Sequence, residues 1–229
     1  PGHPAANDKP GCAPMRVHTS YAVEDWQPGT PPRVITAPHD EDLHALVEDI
    51  RRVKSKVDAV VMSIHWGLHH MPKVICDYQP IVAHAAIDAG ADLILGHHAH
   101  GIKAVEVYKG KVCFYSIGNF MSTGTHTDLL DPANRNVWNL HWFKVEPDCL
   151  PPKGRYLFPD DSRRTMLVKI MFGKRGVERV SFLPTYINGL GQPAVLKRDD
   201  PKFQEILEFS EWVSDCHPHN FQLQGDEVV

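Results

Sequence analysis

One short stretch, residues 91–100, constrains the fold and the chemistry of this 229-residue chain more than any other. It reads Ala-Asp-Leu-Ile-Leu-Gly-His-His-Ala-His. The run Leu93–Leu95 is short and apolar, as expected of a strand that is buried on both faces, the usual environment of parallel strands. Gly96 then permits a sharp turn. We therefore expect this strand to carry imidazole side chains to the carboxyl end of a parallel sheet.

Three histidines, at positions 97, 98 and 100, directly follow the apolar run. A lone histidine in a surface turn is more often a solvated polar group than a ligand. Three of them directly after a buried strand favour a metal site instead, because neutral imidazole is the commonest metal ligand in proteins. His98 and His100 can converge on one point if the loop curls around it.

A second apolar run, 57–64, ends in His65-Trp66-Gly67 and repeats this design. The segment between the two runs, 77–90, has an apolar stripe at helical spacing and ends at a glycine, so it predicts the helix of a right-handed βαβ unit. Ligands in open α/β sheets gather at the carboxyl ends of parallel strands. We therefore expect His65 to lie beside His98 and His100.

Periodicity and turn residues predict further elements along the chain. They are a helix at 40–54 with Asp40 as its N-cap, a hairpin at 104–117, a strand at 138–145, a hairpin at 165–183 and a helix beginning at Asp200-Pro201. The predicted regions are a proline-rich leader (1–38) that drapes over the core, a metal-binding βαβ core with a hairpin (39–121), and a mainly antiparallel extension of the same domain (122–229). Within the leader only 15–23 is expected to form a strand, and the tail after Cys216 is expected to be loose.

Composition excludes several classes of function. The formal net charge of −4 gives no polybasic surface for nucleic acid. There is no apolar run of about 18 residues, so no transmembrane segment is expected.

The five cysteines are odd in number and form no Cys-x-x-Cys pair, which favours free thiols in a reducing compartment and, with it, the cytoplasm. The sequence begins at Pro1 rather than Met, which is compatible with a processed or split product.

The motifs together resemble a known family. They are His65-Trp66-Gly67, the segment 86–100, Val105-Glu-Val-Tyr108 and Tyr115-Ser-Ile-Gly-Asn-Phe120. In this order they are similar to the CapA-like branch of the calcineurin-like metallophosphoesterase superfamily, which is associated with bacterial capsule synthesis and poly-γ-glutamate. The resemblance covers about residues 40–121. It implies an α/β (α+β) fold, a metallophosphoesterase-like β-sandwich flanked by helices, of which this chain supplies the C-terminal half.

The resemblance also implies a site with two divalent metal ions, of Mn, Fe or Zn. His65 and His98 would bind one ion and His100 the other. His69 or His97 is the candidate for protonating the leaving atom. Trp66 is either a substrate platform or packing beside a ligand, and Asn119 either orients a ligand histidine or contacts substrate, or is a turn residue.

Two departures from the family pattern stand out. The Asp motif, the bridging carboxylate and the Asn-His motif of the superfamily's first half are not visible in this sequence. We therefore expect an N-terminal half, separate or cleaved, to supply those ligands. In addition, His69 lies where the family often carries a glutamate.

The predicted function is a metal-dependent hydrolase that uses a metal-activated water on a phosphoester or an amide bond of a small-molecule or polymer substrate. The alternative is a non-catalytic subunit that handles or assembles capsule polymer or poly-γ-glutamate.

Overall fold

The computed structural model describes residues 5, 8–23, 29–121, 156, 158–174 and 176–229. The strands of the first half are β1 (Val17–Ala22), β2 (Arg33–Pro38), β3 (Val61–His65), β4 (Leu93–His97), β5 (Val105–Tyr108) and β6 (Lys111–Phe114). The helices there are α1 (Asp40–Lys54) and α2 (Tyr78–Ala89). The second half contains a 3-10 turn (Asp160–Arg163), β7 (Arg164–Gly173), β8 (Gly176–Ile187), β9 (Pro193–Val195), α3 (Pro201–Ser214), β10 (Leu223–Gln224) and β11 (Glu227–Val228).

A four-stranded sheet in the order β3-β4-β6-β5 forms the centre of the first half. Strands β3 and β4 are parallel and joined through α2, so the predicted βαβ unit is confirmed. Strands β5 and β6 form the predicted antiparallel hairpin, with β6 parallel to β4. Because β3 and β4 run in register from Val61↔Leu93 to His65↔His97, both strands end at the same edge of the sheet.

The boundaries of the helices follow from their sequences. Helix α1 has acidic residues in its first turn and basic residues in its last, which suits the helix dipole. Its N-cap is His39, one residue before the predicted Asp40. Helix α2 ends at Gly90, whose φ of 119° is left-handed and therefore favours glycine. Helix α3 begins as predicted, with the Asp200 carboxylate accepting a hydrogen bond from the Lys202 N–H.

Two predictions about the ends of the chain are wrong. The leader contains a second strand, β2, which pairs with β1 along its whole length. Prolines at 31, 32 and 38 suggested a loop, but proline is tolerated where strands begin and end. The tail after Cys216 is ordered, because β10 and β11 pair and Val228 pairs with Phe182 of β8. These two-residue strands are too short to produce an alternating pattern in the sequence.

Apolar clusters cover both faces of the central sheet. One cluster joins it to α1 and α2, with Val82, Ala86 and Ile94 fully buried. The other joins it to β7, β8 and α3, and there the rings of Phe114 and Phe182 meet edge to face at 6.4 Å. Of the three sheets in the described residues, the two larger ones therefore pack through a shared apolar cluster to which α3 also contributes. The predicted mixed α/β (α+β) class is confirmed.

Some predictions concern residues outside the described part of the chain. The strand predicted at 138–145 is one of them, and the division into three regions stays a prediction. Among the described residues, no helix combines the length and the apolarity needed to cross a bilayer. The described cysteines, at positions 12, 76, 113 and 216, are free thiols, as predicted.

Candidate functional site

The parallel strands β3 and β4 bring histidines together at their shared carboxyl edge. His65 ends β3, and His98 follows β4. The Nδ1 atom of His98 lies 2.6 Å from the Nε2 atom of His65, so the two imidazoles share a hydrogen bond. The structure thus places these two sequence-predicted residues in direct contact.

His69 joins this pair from the loop after β3. Its ring centroid lies 3.9 Å from that of His98 and 5.4 Å from that of His100. The same loop carries His70, whose backbone N–H donates to the carbonyl of Ala99 at 3.0 Å and fixes the loop against the residues after β4. We call His65, His69, His70, His98 and His100 the histidine cluster. His97, the other candidate for proton transfer, takes part in none of the described ring contacts within it.

The backbone of the cluster is conformationally strained. His70, His98 and His100 have φ values of 52°, 94° and 56°, and the fourth non-glycine residue with positive φ in the described chain is Lys109. A left-handed conformation costs an L-residue about 1–2 kcal/mol. Such residues persist where the surrounding structure imposes them, and they concentrate at functional sites.

Burial and neighbouring imidazoles favour the uncharged form of four rings of the cluster, those of His65, His69, His70 and His98. Removal from water disfavours the charged imidazolium form and is the largest cause of the lowered pKa of each ring. Neighbouring imidazoles are the next cause in most cases. These effects lower the pKa of His98 to about 4. They also lower the pKa of His65, His69 and His70, and burial alone lowers that of His97. Near neutral pH these rings therefore retain a nitrogen lone pair that can bind a cation.

Asn119 orients His100, which was one of the alternatives predicted for it. The Oδ1 atom of Asn119 lies 2.8 Å from Nδ1 of His100. Its Nδ2 atom donates to the hydroxyl oxygen of Tyr156 at 2.7 Å. On the other side, the His100 ring stacks on Phe158 with a centroid distance of 4.6 Å. Sequence reasoning missed Tyr156 and Phe158, because no motif marks them in their proline-rich surroundings.

Trp66 packs in the core beside the cluster. Only 4% of this residue is exposed. Its indole N–H donates to the Tyr115 carbonyl at 2.9 Å, and its ring stacks on that of Tyr115 at 5.7 Å. A buried indole offers no face to a substrate, so the structure favours packing over the substrate-platform alternative.

The histidine cluster suits a metal ion by donor type but not by arrangement. Among the described residues, no group of three or more His, Cys, Asp or Glu side chains is placed so that it could hold a metal ion. Two imidazole nitrogens on one tetrahedral zinc lie about 3.3 Å apart, given Zn–N distances of about 2.0–2.1 Å. The 2.6 Å between His65 and His98 is shorter than that, so these rings have to separate before they can share an ion.

The sequence of the first half decides the family. Residues 4–123 match the sequence model of a family described as "Bacterial capsule synthesis protein PGA_cap". The chain belongs to the PGA_cap family. This confirms the resemblance seen in the motifs, and the mixed sheets and helices are consistent with the metallophosphoesterase-like fold expected for it.

Several curated relatives match part of the chain. The chain is 42% identical over 92 residues to the PGA biosynthesis protein CapA of Bacillus subtilis, covering 40% of this chain and 24% of the relative. It is 44% identical over 80 residues to the capsule biosynthesis protein CapA of Bacillus anthracis, covering 35% and 19%. A probable polyglutamine synthesis accessory protein of Mycobacterium tuberculosis is 34% identical over 98 residues, covering 36% and 26%. The chain therefore matches about a quarter or less of each relative's length.

Proposed function

We propose that this PGA_cap chain supplies the histidine side of a metal-dependent hydrolytic centre that acts in the metabolism of capsule polymer or poly-γ-glutamate. The observation that carries the proposal is the histidine cluster itself. Its rings meet where two parallel strands end, four of them have a lowered pKa, and three of its residues occupy strained backbone positions.

The residues of the cluster divide into ligands and a proton carrier. His65, His98 and His100 would hold the metal, which when bound supplies an activated water and polarises the scissile group. His69 lies on the exposed side of the cluster against His98. A neutral imidazole in that position can take a proton from water and return it to a leaving atom. His97 lies outside the ring contacts, so His69 is the better candidate for this role.

The metal centre needs carboxylates that the cluster lacks. A two-metal hydrolase normally places its ions about 3.5–4 Å apart, and we expect a carboxylate to bridge them. We propose that this ligand comes from an N-terminal portion of the PGA_cap domain, on the same protein or on another chain. The short stretch shared with each relative, between 19% and 26% of its length in the three relatives named, is consistent with this.

The names of the relatives suggest the substrate. They refer to capsule, poly-glutamate and polyglutamine synthesis, and such polymers contain amide bonds. The superfamily resemblance suggests phosphoester chemistry instead. We propose an anionic polymer or oligomer as the substrate, with hydrolysis of either an amide or a phosphoester bond.

A non-catalytic role is the second candidate. The close His65–His98 hydrogen bond and the absence of an assembled metal group among the described residues favour it. One relative is also described as an accessory protein. In this role the chain would bind or pass on the polymer without cleaving it.

Metal content and turnover together test the first proposal. The isolated chain and the chain co-expressed with the N-terminal portion of a PGA_cap protein are compared for bound Mn, Fe and Zn by mass spectrometry. Both are then assayed on phosphodiesters and on γ-glutamyl amides. We expect metal and turnover in the co-expressed sample and their loss in His98→Ala. The matched control is His44→Ala, at an exposed helical site.

Three results would contradict the proposal or a part of it. If His98→Ala turns over substrate as well as His44→Ala does, the cluster is not catalytic. If the co-expressed sample binds polymer but neither holds metal nor cleaves any substrate, the non-catalytic role is correct. Full metal occupancy and activity in the isolated chain would exclude completion by another segment.

A further inference from the structure

Tyr156 carries a buried hydroxyl that is linked to the histidine cluster through Asn119. The residue is 5% exposed. Its hydroxyl donates to the Ser162 carbonyl at 2.9 Å and accepts from Asn119 Nδ2 at 2.7 Å. Nothing in its sequence surroundings marks it, and the function proposed above does not use it.

The hydrogen-bond partners of Tyr156 determine where its proton lies. The Ser162 carbonyl oxygen can only accept. The Ser162 hydroxyl, 3.3 Å from the tyrosine oxygen, donates its own proton to the Pro159 carbonyl at 2.6 Å. Because neither group offers a proton to Tyr156, the tyrosine proton points to Ser162. The tyrosine oxygen is then left to accept from the side-chain amide of Asn119.

This arrangement fixes the orientation of that amide. The oxygen and nitrogen of an asparagine side chain have almost the same shape, so only their hydrogen-bond partners distinguish them. With Nδ2 donating to Tyr156, Oδ1 faces His100 and can only accept. The hydrogen bond of 2.8 Å between Oδ1 and His100 Nδ1 therefore requires a proton on Nδ1.

We propose that Tyr156 is a positioning residue that selects the Nδ1–H tautomer of His100 and thereby leaves the lone pair on Nε2. The use of that lone pair for a metal rests on the proposed function. The position of the proton does not, because it follows from the chain's own hydrogen bonds and can be measured without metal.

The experiment reads the His100 tautomer by long-range proton–nitrogen NMR of the ¹⁵N-labelled, metal-free chain at alkaline pH. The variants are Tyr156→Phe and, as matched control, Tyr108→Phe, whose hydroxyl contacts the exposed Asp88 at 3.4 Å. We expect His100 to carry its proton on Nδ1 in the wild type and in Tyr108→Phe. In Tyr156→Phe the amide nitrogen keeps only its longer hydrogen bond of 3.5 Å to the His100 carbonyl. The amide can then turn more readily, so we expect a mixture with at least a several-fold larger share of Nε2–H.

A double variant separates positioning from packing, since the Tyr156 ring also packs against Phe158 at 5.5 Å. A carboxylate has two equivalent acceptor oxygens and needs no orienting partner. Asn119→Asp combined with Tyr156→Phe should therefore restore Nδ1–H at His100. If the tautomer changes in Tyr156→Phe and is not restored in the double variant, the effect is one of packing and the proposal falls.

The remaining outcomes also decide the question. Nε2–H in the wild type, or unaltered Nδ1–H in Tyr156→Phe, would overturn the proposal. If Tyr156→Phe does not fold, the NMR spectra of the wild type test the proposal by themselves. A proton on Nδ1 of His100, together with a cross-peak between the Tyr156 hydroxyl proton and Ser162, supports the proposal. A proton on Nε2 refutes it.

Metal affinity links the inference to the proposed function. Loss of a group that orients a ligand typically costs about 10–100-fold in metal affinity. We expect a loss of about 10-fold in Tyr156→Phe, measured by zinc titration of the co-expressed sample. If that sample binds no metal in any variant, the proposed function fails while the NMR result still stands. If the tautomer result fails but the wild type binds metal, only the role of Tyr156 is lost.

Discussion

Lys103 is a buried cation beside the histidine cluster. It is 3% exposed, and its ammonium donates to the carbonyls of Met71 and Val74, the latter at 2.8 Å. Among the described residues it forms no ion pair with a carboxylate. Burial lowers the pKa of this lysine to about 8. Its hydrogen bonds hold the loop that continues from His69 and His70.

The lowered pKa of Lys103 predicts how stability depends on pH. The folded chain releases the lysine proton near pH 8, whereas the unfolded chain keeps it up to about the ordinary value of 10.5. Between these values the unfolded state binds more protons at this lysine, so its contribution to the free energy of unfolding should rise with pH. The raised pKa values of the Cys76 and Cys113 thiols act in the opposite sense, so the comparison is with a variant. Between about pH 8 and 10 we expect the free energy of unfolding of the wild type to increase relative to that of Lys103→Met, measured by urea denaturation. Lys56→Met, at an exposed site, is the control and should follow the wild type.

Some residues of the candidate site could be predicted from the sequence, and others could not. His65, His98 and His100 were predictable because parallel strand ends meet at one edge and histidines follow both strands. For Asn119, the role of orienting a histidine was one of three predicted alternatives, since the residue follows another strand and a glycine. Tyr156 was not predictable, because its place depends on a long-range contact that no local pattern encodes.

At the scale of elements, β4 depends on a glycine near its end. A Cβ atom on Gly96 would overlap the carbonyl oxygen of Tyr115 and lie 2.6 Å from that of Phe114. The chain entering the loop after β6 passes this close because Ile117 N–H donates to the Gly96 carbonyl at 3.1 Å. The absence of a side chain therefore allows β4 and the β6 region to approach each other.

Gly96→Ala should destabilise the protein strongly. The new methyl group meets backbone atoms, which cannot rotate away as a side chain does, so β4 has to shift. We expect a loss of about 3 kcal/mol or more in the free energy of unfolding, at the upper end of overpacking costs. Thermal and urea unfolding measure it. Gly101→Ala is the matched control, because nothing lies within 4 Å of its Cβ position; equal losses in both variants would contradict the steric explanation.

The elements differ in how well the sequence predicted them. Helix α1 was predicted over 40–54 as observed, apart from its N-cap, which lies one residue earlier, because its apolar spacing and its terminal charges agree. The β7–β8 hairpin was also predicted, and it extends further than expected at both ends. Strand β2 was missed because prolines surround it, and β10 and β11 were missed because each has only two residues. Local pattern is informative only where an element is long enough to repeat it.

At the scale of the whole molecule, the C-terminal tail connects the two sheets. The Pro218 carbonyl accepts a hydrogen bond of 2.6 Å from the Val107 N–H of β5 in the central sheet. Val228, which is 0% exposed, pairs with Phe182 of β8 in the second sheet. The sheets are therefore joined by backbone pairing as well as by the apolar cluster between them.

Val228→Ala should weaken the whole fold rather than the tail alone. Removing buried methyl groups loses their transfer free energy and leaves a cavity, together about 2 kcal/mol for valine. We expect one cooperative transition at lower denaturant concentration by both circular dichroism and tryptophan fluorescence. Val195→Ala, where the side chain is 43% exposed, should have little effect. A separate early transition in Val228→Ala would show instead that the tail unfolds independently.

The positive φ angles of His70, His98 and His100 set backbone stability against retention of the imidazole side chains. Glycine at these positions would relieve the backbone, so a screen for thermal resistance alone would tend to discard the imidazoles. A thermostable variant that keeps the histidine cluster therefore has to gain its stability elsewhere, in the apolar clusters or at helix ends.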